Sequence, residues 1–366
     1  MARSTPTSSR TRISRLAWTI LSCLWLAFSS ACRRPALPAE WTLEAEEIHT
    51  LGQAPTGAAA TLVDPVALGF DARGRIYVLD RGNHRMLVFS PAGELLASRG
   101  RRGTGSGEVN RPQGMWVYPN GEILIADTGN RRLVRFGAGS EPLEAIPVDY
   151  LPLDAIGTAE HIFVLRLPSP ALVLGPEIEP LVSVLDRDGE DLARIVPAVP
   201  NKVGVLYALT NKRRIAPAPG GGFALAHTHV RSRVQIYDRL GSTTAAIDVL
   251  YKGSVWAPLG RLPRHISDRS LDRVARTSSD ISWDEGRSLY WVLAGYVDRT
   301  AEGDWTTGTE LYRYDTSGAY RGSVMLPYPA RVVAAAADHT IWVIDDMGVV
   351  RQHRLRDPDL AGDANR

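Results

Sequence analysis

An internal repeat with a spacing of 47 residues limits what this chain can fold into more than any other feature. Pro65-Val66-Ala67-Leu68-Gly69 lies over Pro112-Gln113-Gly114-Met115-Trp116. At the same spacing Gly74 meets Gly121, Ile76 meets Ile123, Asp80 meets Asp127, Gly82-Asn83 meets Gly129-Asn130 and Arg85 meets Arg132. Periods of roughly 20–50 residues signal units that bury their apolar faces by stacking on their neighbours. Each unit reads as four short strands. An apolar strand follows a Pro, and a tight turn such as Pro119-Asn120-Gly121 leads to an alternating strand, Ile76–Leu79 or Ile123–Ala126. Asp-x-Gly-Asn-x-Arg then introduces a third strand, Met86–Phe89 or Leu133–Phe136, and a second tight turn leads to the fourth.

The segment Asp80-Arg81-Gly82-Asn83-His84-Arg85-Met86-Leu87-Val88-Phe89 resembles the NHL repeat. The resemblance is strong over residues 64–148, and beyond them only the strand pattern persists. It implies an all-β six-bladed propeller of four-stranded blades. Four further units can be counted: Ile162–Leu165 with Val182–Leu185, Phe223–Ala226 with Val234–Tyr237, Leu289–Val292 with Leu311–Tyr314, and Ile341–Ile344 with Val349–Gln352. The sixth unit lacks a fourth strand, and Trp41–Leu51 is an unassigned strand-like segment upstream of the first. In NHL propellers an N-terminal strand commonly completes the last blade, and here it would cover a bare sheet edge. The propeller is therefore expected over residues 41–356, with a polar tail at 357–366.

Arg3, Arg10, Arg12 and Arg15 precede the apolar run Leu16–Ala31 and then Cys32. This is the pattern of a secretory signal peptide. Leu26-Ala27-Phe28-Ser29-Ser30-Ala31-Cys32 resembles a bacterial lipobox, with Ser29 where Leu is usual. The resemblance implies a leader over residues 1–31, a lipid on Cys32 and a tether over 32–40. Arg33 after the Cys points to the outer membrane. The leader holds four Arg and no acid, so the formal charge of +2 becomes −2 without it. The basic balance then gives no support for nucleic-acid binding. Cys23 and Cys32 are the only cysteines, which leaves the propeller without a disulfide or a thiolate metal site.

The shared Asp, Gly and Asn residues have a structural reading: Gly and Asn accept positive φ, and Asp binds backbone amides. Loop lengths say more about function. The turns between first and second and between third and fourth strands are short, whereas Gly100–Asn110, Leu167–Pro180, Ala198–Asn211, Tyr251–Ser279 and Gly295–Thr309 are long. Strand direction puts all the long connections on one face, which selects that face and its channel mouth as the functional surface. First strands begin near Asp64, Arg111, Arg214, Asp280 and Arg331, so these residues are expected to ring the mouth. Three Arg there would clamp a carboxylate or phosphate, or pair with the two Asp. Trp256 and Trp305 in long loops suit a sugar, a peptide or an apolar group.

These features point to a non-catalytic binding or scaffold module of the cell envelope, contacting protein, peptide or glycan, with no cofactor and with the membrane met only through the lipid. The alternative is a metal-dependent lactonase, hydrolase or lyase. His227 and His229 would point the same way on a strand and, with Asp345 across the channel, would hold a divalent metal, Ca or Zn. Gly-x-Ser-x-Gly, a phosphate loop and His-Glu-x-x-His are all absent from the sequence.

Overall fold

The computed structural model describes residues 42–51, 61–167, 179–200, 204–229, 233–249, 278–294, 298–299, 305–306 and 309–356. The expected leader and tether, Cys32, Trp256 and the C-terminal tail lie outside them.

The described residues form a six-bladed β-propeller with four-stranded antiparallel blades. The first strand, β1 (Thr42–Leu51), is set apart from the blade that follows it. Blade one is β2 (Pro65–Phe70), β3 (Ile76–Asp80), β4 (Arg85–Phe89) and β5 (Leu95–Arg99). Blade two is β6 (Gly114–Val117), β7 (Ile123–Asp127), β8 (Arg132–Phe136) and β9 (Ile146–Pro147). Blade three is β10 (Pro152–Gly157), β11 (His161–Arg166), β12 (Pro180–Asp186) and β13 (Asp191–Pro197). A short helix, α1 (Gly204–Asn211), sits in the connection from blade three to blade four, which the sequence reads as loop. Blade four is β14 (Arg213–Ala218), β15 (Gly222–His227), β16 (Arg233–Tyr237) and β17 (Thr243–Asp248).

Blade five is β18 (Ser278–Asp284) and β19 (Leu289–Ala294), then, after a pair of two-residue strands, β20 (Asp298–Arg299) and β21 (Trp305–Thr306), β22 (Glu310–Asp315) and β23 (Tyr320–Met325). Blade six is β24 (Ala330–Ala335), β25 (Thr340–Asp345) and β26 (Val350–Arg356), and β1 is its fourth strand. β1 runs antiparallel to β26, with Glu47 opposite His353 and Leu51 opposite Val350. Its first two residues also pair in parallel with β23 at Ser323 and Val324, which joins blades five and six into one eight-stranded sheet. An N-terminal strand thus closes the propeller, as the strand count required.

Period-two alternation explains the core. Ile76 and Val78 of β3 pack with Trp342 and Ile344 of blade six, whereas Tyr77 and Leu79 on the other face pack with Met115 and Ile125 of blade two. Further clusters join blades two and three, three and four, four and five, and five and six, so six inter-blade cores complete the ring. Middle strands touch a neighbour on both faces. β3 and β7 are accordingly buried at every residue, while outer strands such as β13 are largely exposed.

The repeated polar motif is a brace. Asp127 Oδ1 accepts the Asn110 amide at 2.6 Å, and its Oδ2 accepts from Asn130 Nδ2 and Arg132 Nε at 2.8 and 2.9 Å. Asp80 accepts the Asp64 amide at 2.9 Å and Asn83 Nδ2 at 2.7 Å, and forms an ion pair with Arg85, whose Nε lies 3.8 Å away. Each Asp thereby ties the end of a second strand to the chain entering the first. The glycines sit where that chain passes closest: a Cβ at Gly129 would stand 2.4 Å from the Asn110 carbonyl oxygen.

Candidate functional site in the central channel

The first strands line a channel. Registers show how its charged side chains are placed. The residues opposite the penultimate position of each second strand are Ala67, Gly114, Asp154, Arg214, Asp280 and Val332, from blades one to six in turn. Three consecutive blades thus contribute an acid, a base and an acid at one level. In four blades the first strand slips register at its start, between Pro65 and Ala67, Pro152 and Asp154, Ser278 and Asp280, and Ala330 and Val332. Such bulges re-aim side chains.

Arg214 Nε lies 3.7 Å from Asp280 Oδ1 and donates to the Ser279 carbonyl at 3.3 Å. Asp280 Oδ2 accepts the Val333 amide at 3.0 Å, and Asp154 Oδ1 accepts the Ala155 amide at 2.9 Å. Burial pushes the Asp154 carboxyl up to about 7, against the pull of Arg214. Burial likewise pushes Asp280 up to about 6, again opposed by Arg214. One guanidinium therefore serves two carboxyls, and the row carries one surplus negative charge when both ionise.

The row separates two cavities. On the long-connection face, a mouth of about 220 Å³ is lined by Arg81, Lys212, Arg213, Arg214, His229 and Arg331, with Gln113, Ser278 and Ser279 between them. No acid lines it among the described residues. Asp64 stands behind, 2.7 Å from Arg81 Nε and 3.1 Å from Arg331 Nη1, and Arg81 Nη1 donates to Gln113 Oε1 at 2.8 Å. Toward the short-turn face lies a larger chamber of about 600 Å³. Leu68, Phe70, Met115, Ile156, Ile281 and Trp283 contribute to its walls, and Asp71, Pro119, Glu285 and Ala337 reach its rim.

The expected ring is therefore partly assembled. Asp64, Arg214, Asp280 and Arg331 meet in or beside the channel. Arg111 does not: it is exposed, takes a left-handed φ of 48°, and uses its amide to donate to His84 Nδ1. The chain turns there before β6 begins, and Gln113 lines the mouth instead. Of Trp305 the backbone alone is described, paired with Arg299. Arg81, Lys212, Arg213 and Asp154 are additions that loop-based reasoning missed. For Asp154 a signal existed, since Pro152 precedes it by two residues as Pro112 precedes Gly114 and Pro65 precedes Ala67. Arg81 is hidden because it is the variable residue of its motif, matched by Thr128 in blade two.

The metal expectation meets a different geometry. His227 ends β15 and its Nε2 lies 3.1 Å from Gln235 Oε1 on the next strand outward. His229 lies beyond the strand end, where alternation no longer applies, and it lines the mouth with Nδ1 2.8 Å from Thr228 Oγ1. Asp345 ends the second strand of blade six, one strand out from the channel wall. It accepts from Arg351 Nε at 2.9 Å and from the Val349 amide at 2.8 Å. Among the described residues no three His, Cys, Asp or Glu side chains are grouped as metal ligands are. The three residues do not fit a shared ion.

Comparison with known proteins bears on the fold. A family model described as a 6-bladed beta-propeller (DUF5128) matches residues 65–165, from β2 into β11. A streptogramin B lyase structure is 11% identical with a TM-score of 0.51, covering 86% of this chain and 93% of its own. A member of the DUF4221 family from Bacteroides vulgatus is 10% identical with a TM-score of 0.56, covering 87% and 99%. No curated protein matches the chain in sequence. At these identities the likeness is one of fold, and a propeller fold hosts many functions.

Proposed function

We propose that this protein is a non-catalytic binding propeller of the bacterial cell envelope, of NHL-repeat type, exported by its leader and held at the outer membrane through a lipid on Cys32. Its ligand is an anionic group on a protein, peptide or glycan, received at the channel mouth on the long-connection face. The observation that carries this reading is the makeup of that mouth: five cationic side chains and no acid among the described lining residues. Arg81 and Arg331 share the single carboxylate of Asp64, so one negative charge holds two guanidinia in place. Planar guanidinium groups held in this way match carboxylate and phosphate geometry. The absence of a grouped ligand set among the described residues gives a metal-dependent hydrolase or lyase no comparable support.

The test is an array of acidic and neutral peptides and glycans probed with the protein expressed from its full sequence, so that leader and anchor are processed as in the cell. Acidic members should be enriched, and Arg81→Gln with Arg331→Gln should abolish the enrichment while the melting temperature stays within a few degrees. Equal capture of neutral members, or unchanged capture by the double variant, would refute the reading.

A further inference from the structure

The mouth leaves the larger chamber without a role. That chamber lies on the other side of the Asp154–Arg214–Asp280 row and is entered between the short turns of the opposite face. Its volume of about 600 Å³ is in the range of small-molecule sites. Its walls are apolar and include Phe70, Trp116 and Trp283. Arg214 is the one cation among the described residues that line it.

The acids at the rim are mostly satisfied. Asp71 accepts from Arg75 Nε at 2.6 Å, and Asp284 accepts from Arg287 Nη1 at 2.9 Å and from Trp291 Nε1 at 3.2 Å. Glu285 is exposed at the rim. The floor is different. At its level the three other blades contribute Ala67, Gly114 and Val332, which carry no charge. Two carboxyls thus share one guanidinium beneath apolar walls, and when both ionise the surplus charge faces the chamber.

We infer that the chamber is a second binding site, for an organic cation with an aromatic or branched apolar body. Its ammonium group would take the place of the missing counter-charge at the floor, and its body would lie against the walls. An anion would meet two acids, and a neutral body of the same shape would leave the surplus charge unmatched. Aromatic walls add attraction for a cation over their faces. This site is chemically opposite to the mouth, so one channel presents a basic entrance on one face and an acidic, apolar one on the other.

The probes are 2-phenylethylammonium, its neutral counterpart 2-phenylethanol and its anionic counterpart 3-phenylpropionate, titrated into the full chain and followed by tryptophan fluorescence and calorimetry. The expected order is cation first, with at least a tenfold preference over the alcohol, about the factor that follows from one added charge interaction at a partly buried site. The preference should fall as the pH drops from 8 to 5 and the two floor acids take up protons. Asp154→Asn with Asp280→Asn should remove the preference and leave the alcohol binding as before. Ala337→Trp at the exposed rim, which leaves the floor and core untouched, should block all three probes. Arg331→Gln, at the mouth, should change none of them. Equal affinity for cation and alcohol, preference for the anion, or no binding at millimolar probe would each overturn the assignment. Loss of binding in the Arg331 variant would place the probes at the mouth instead.

Discussion

Gly114 of blade two and Asp154 of blade three face one another so closely that a Cβ on the glycine would stand 2.0 Å from Asp154 Oδ1. The channel level that carries the charged row is thus built by a residue with no side chain beside one with a buried carboxyl. Gly114→Ala must displace Asp154, and an overpacked site of this kind costs about 1–3 kcal/mol. Denaturant midpoints should show that loss. An Asp154→Ala background should recover part of it, because the Asp154 Cα also lies only 2.7 Å from the added methyl. Full additivity of the two substitutions would show that the contact is not what the glycine serves.

Asp154 also sets a pH dependence. Its carboxyl is raised in the folded state from the ordinary 3.8 to about 7, so between these values the folded chain holds a proton that the unfolded chain has released. The stabilising contribution is complete below about 4 and is lost as the pH rises through about 7. Asp280, raised to about 6, acts in the same direction. Asp154→Asn, which stays neutral throughout, should therefore stabilise the protein at pH 8 by an amount of order 2 kcal/mol, and by little at pH 4. Melting curves at the two pH values measure the difference. An effect of equal size at both would assign it to packing instead of charge.

The sequence made the blade count legible because it rests on two robust signals: the 47-residue spacing of the first two units and the apolar alternation of second and third strands. The role of β1 was legible for the same reason, since the sixth unit lacked a strand and Trp41–Leu51 was left over. The site was harder to read. Which first-strand residue faces the channel depends on bulges at Pro65–Ala67, Pro152–Asp154, Ser278–Asp280 and Ala330–Val332, and a one-residue slip inverts every assignment beyond it. Arg214 and Asp280 were found because they fall at that level. Arg111 was misplaced because a left-handed residue turns the chain before β6 starts. His227 and His229 were grouped by alternation, which needs a strand, and β15 ends between them.

The braces predict a contrast between two aspartates of similar local chemistry. Asp127 is fully buried and holds the Asn110 amide, Asn130 and Arg132 together. Asp127→Ala leaves Arg132 without its carboxylate, and breaking a buried pair costs about 3–5 kcal/mol. Asp315 organises an outer turn, accepting from Ser317, Ala319 and Arg321, with Ser317 foremost in holding its carboxyl down to about 2. Its partner Arg321 is well exposed, and solvent screens such pairs. Asp315→Ala should shift the melting temperature far less than Asp127→Ala. Similar shifts for both would show that the motif Asp is a turn former and not a tie between strands.

Closure gives the last prediction. β1 supplies Leu43 to the core between blades five and six and Leu51 to the core between blades six and one. Both side chains are nearly inaccessible, at 5% and 3% exposure. One ten-residue strand therefore seals two of the six inter-blade cores, and it also pairs with β26 and the start of β23. Leu51→Ala should cost about 2–4 kcal/mol, as large-to-small changes in a core do. Removing β1 altogether would do more, because it would bare the edge of β26 as well as the two cores, and bare edges template association. Hydrogen exchange on the Leu51→Ala variant should show the loss first in β24–β26 and β23, with blades two to four protected as before. Uniform loss across all six blades would mean that the ring opens as a single unit and that β1 is no weaker a seam than any other.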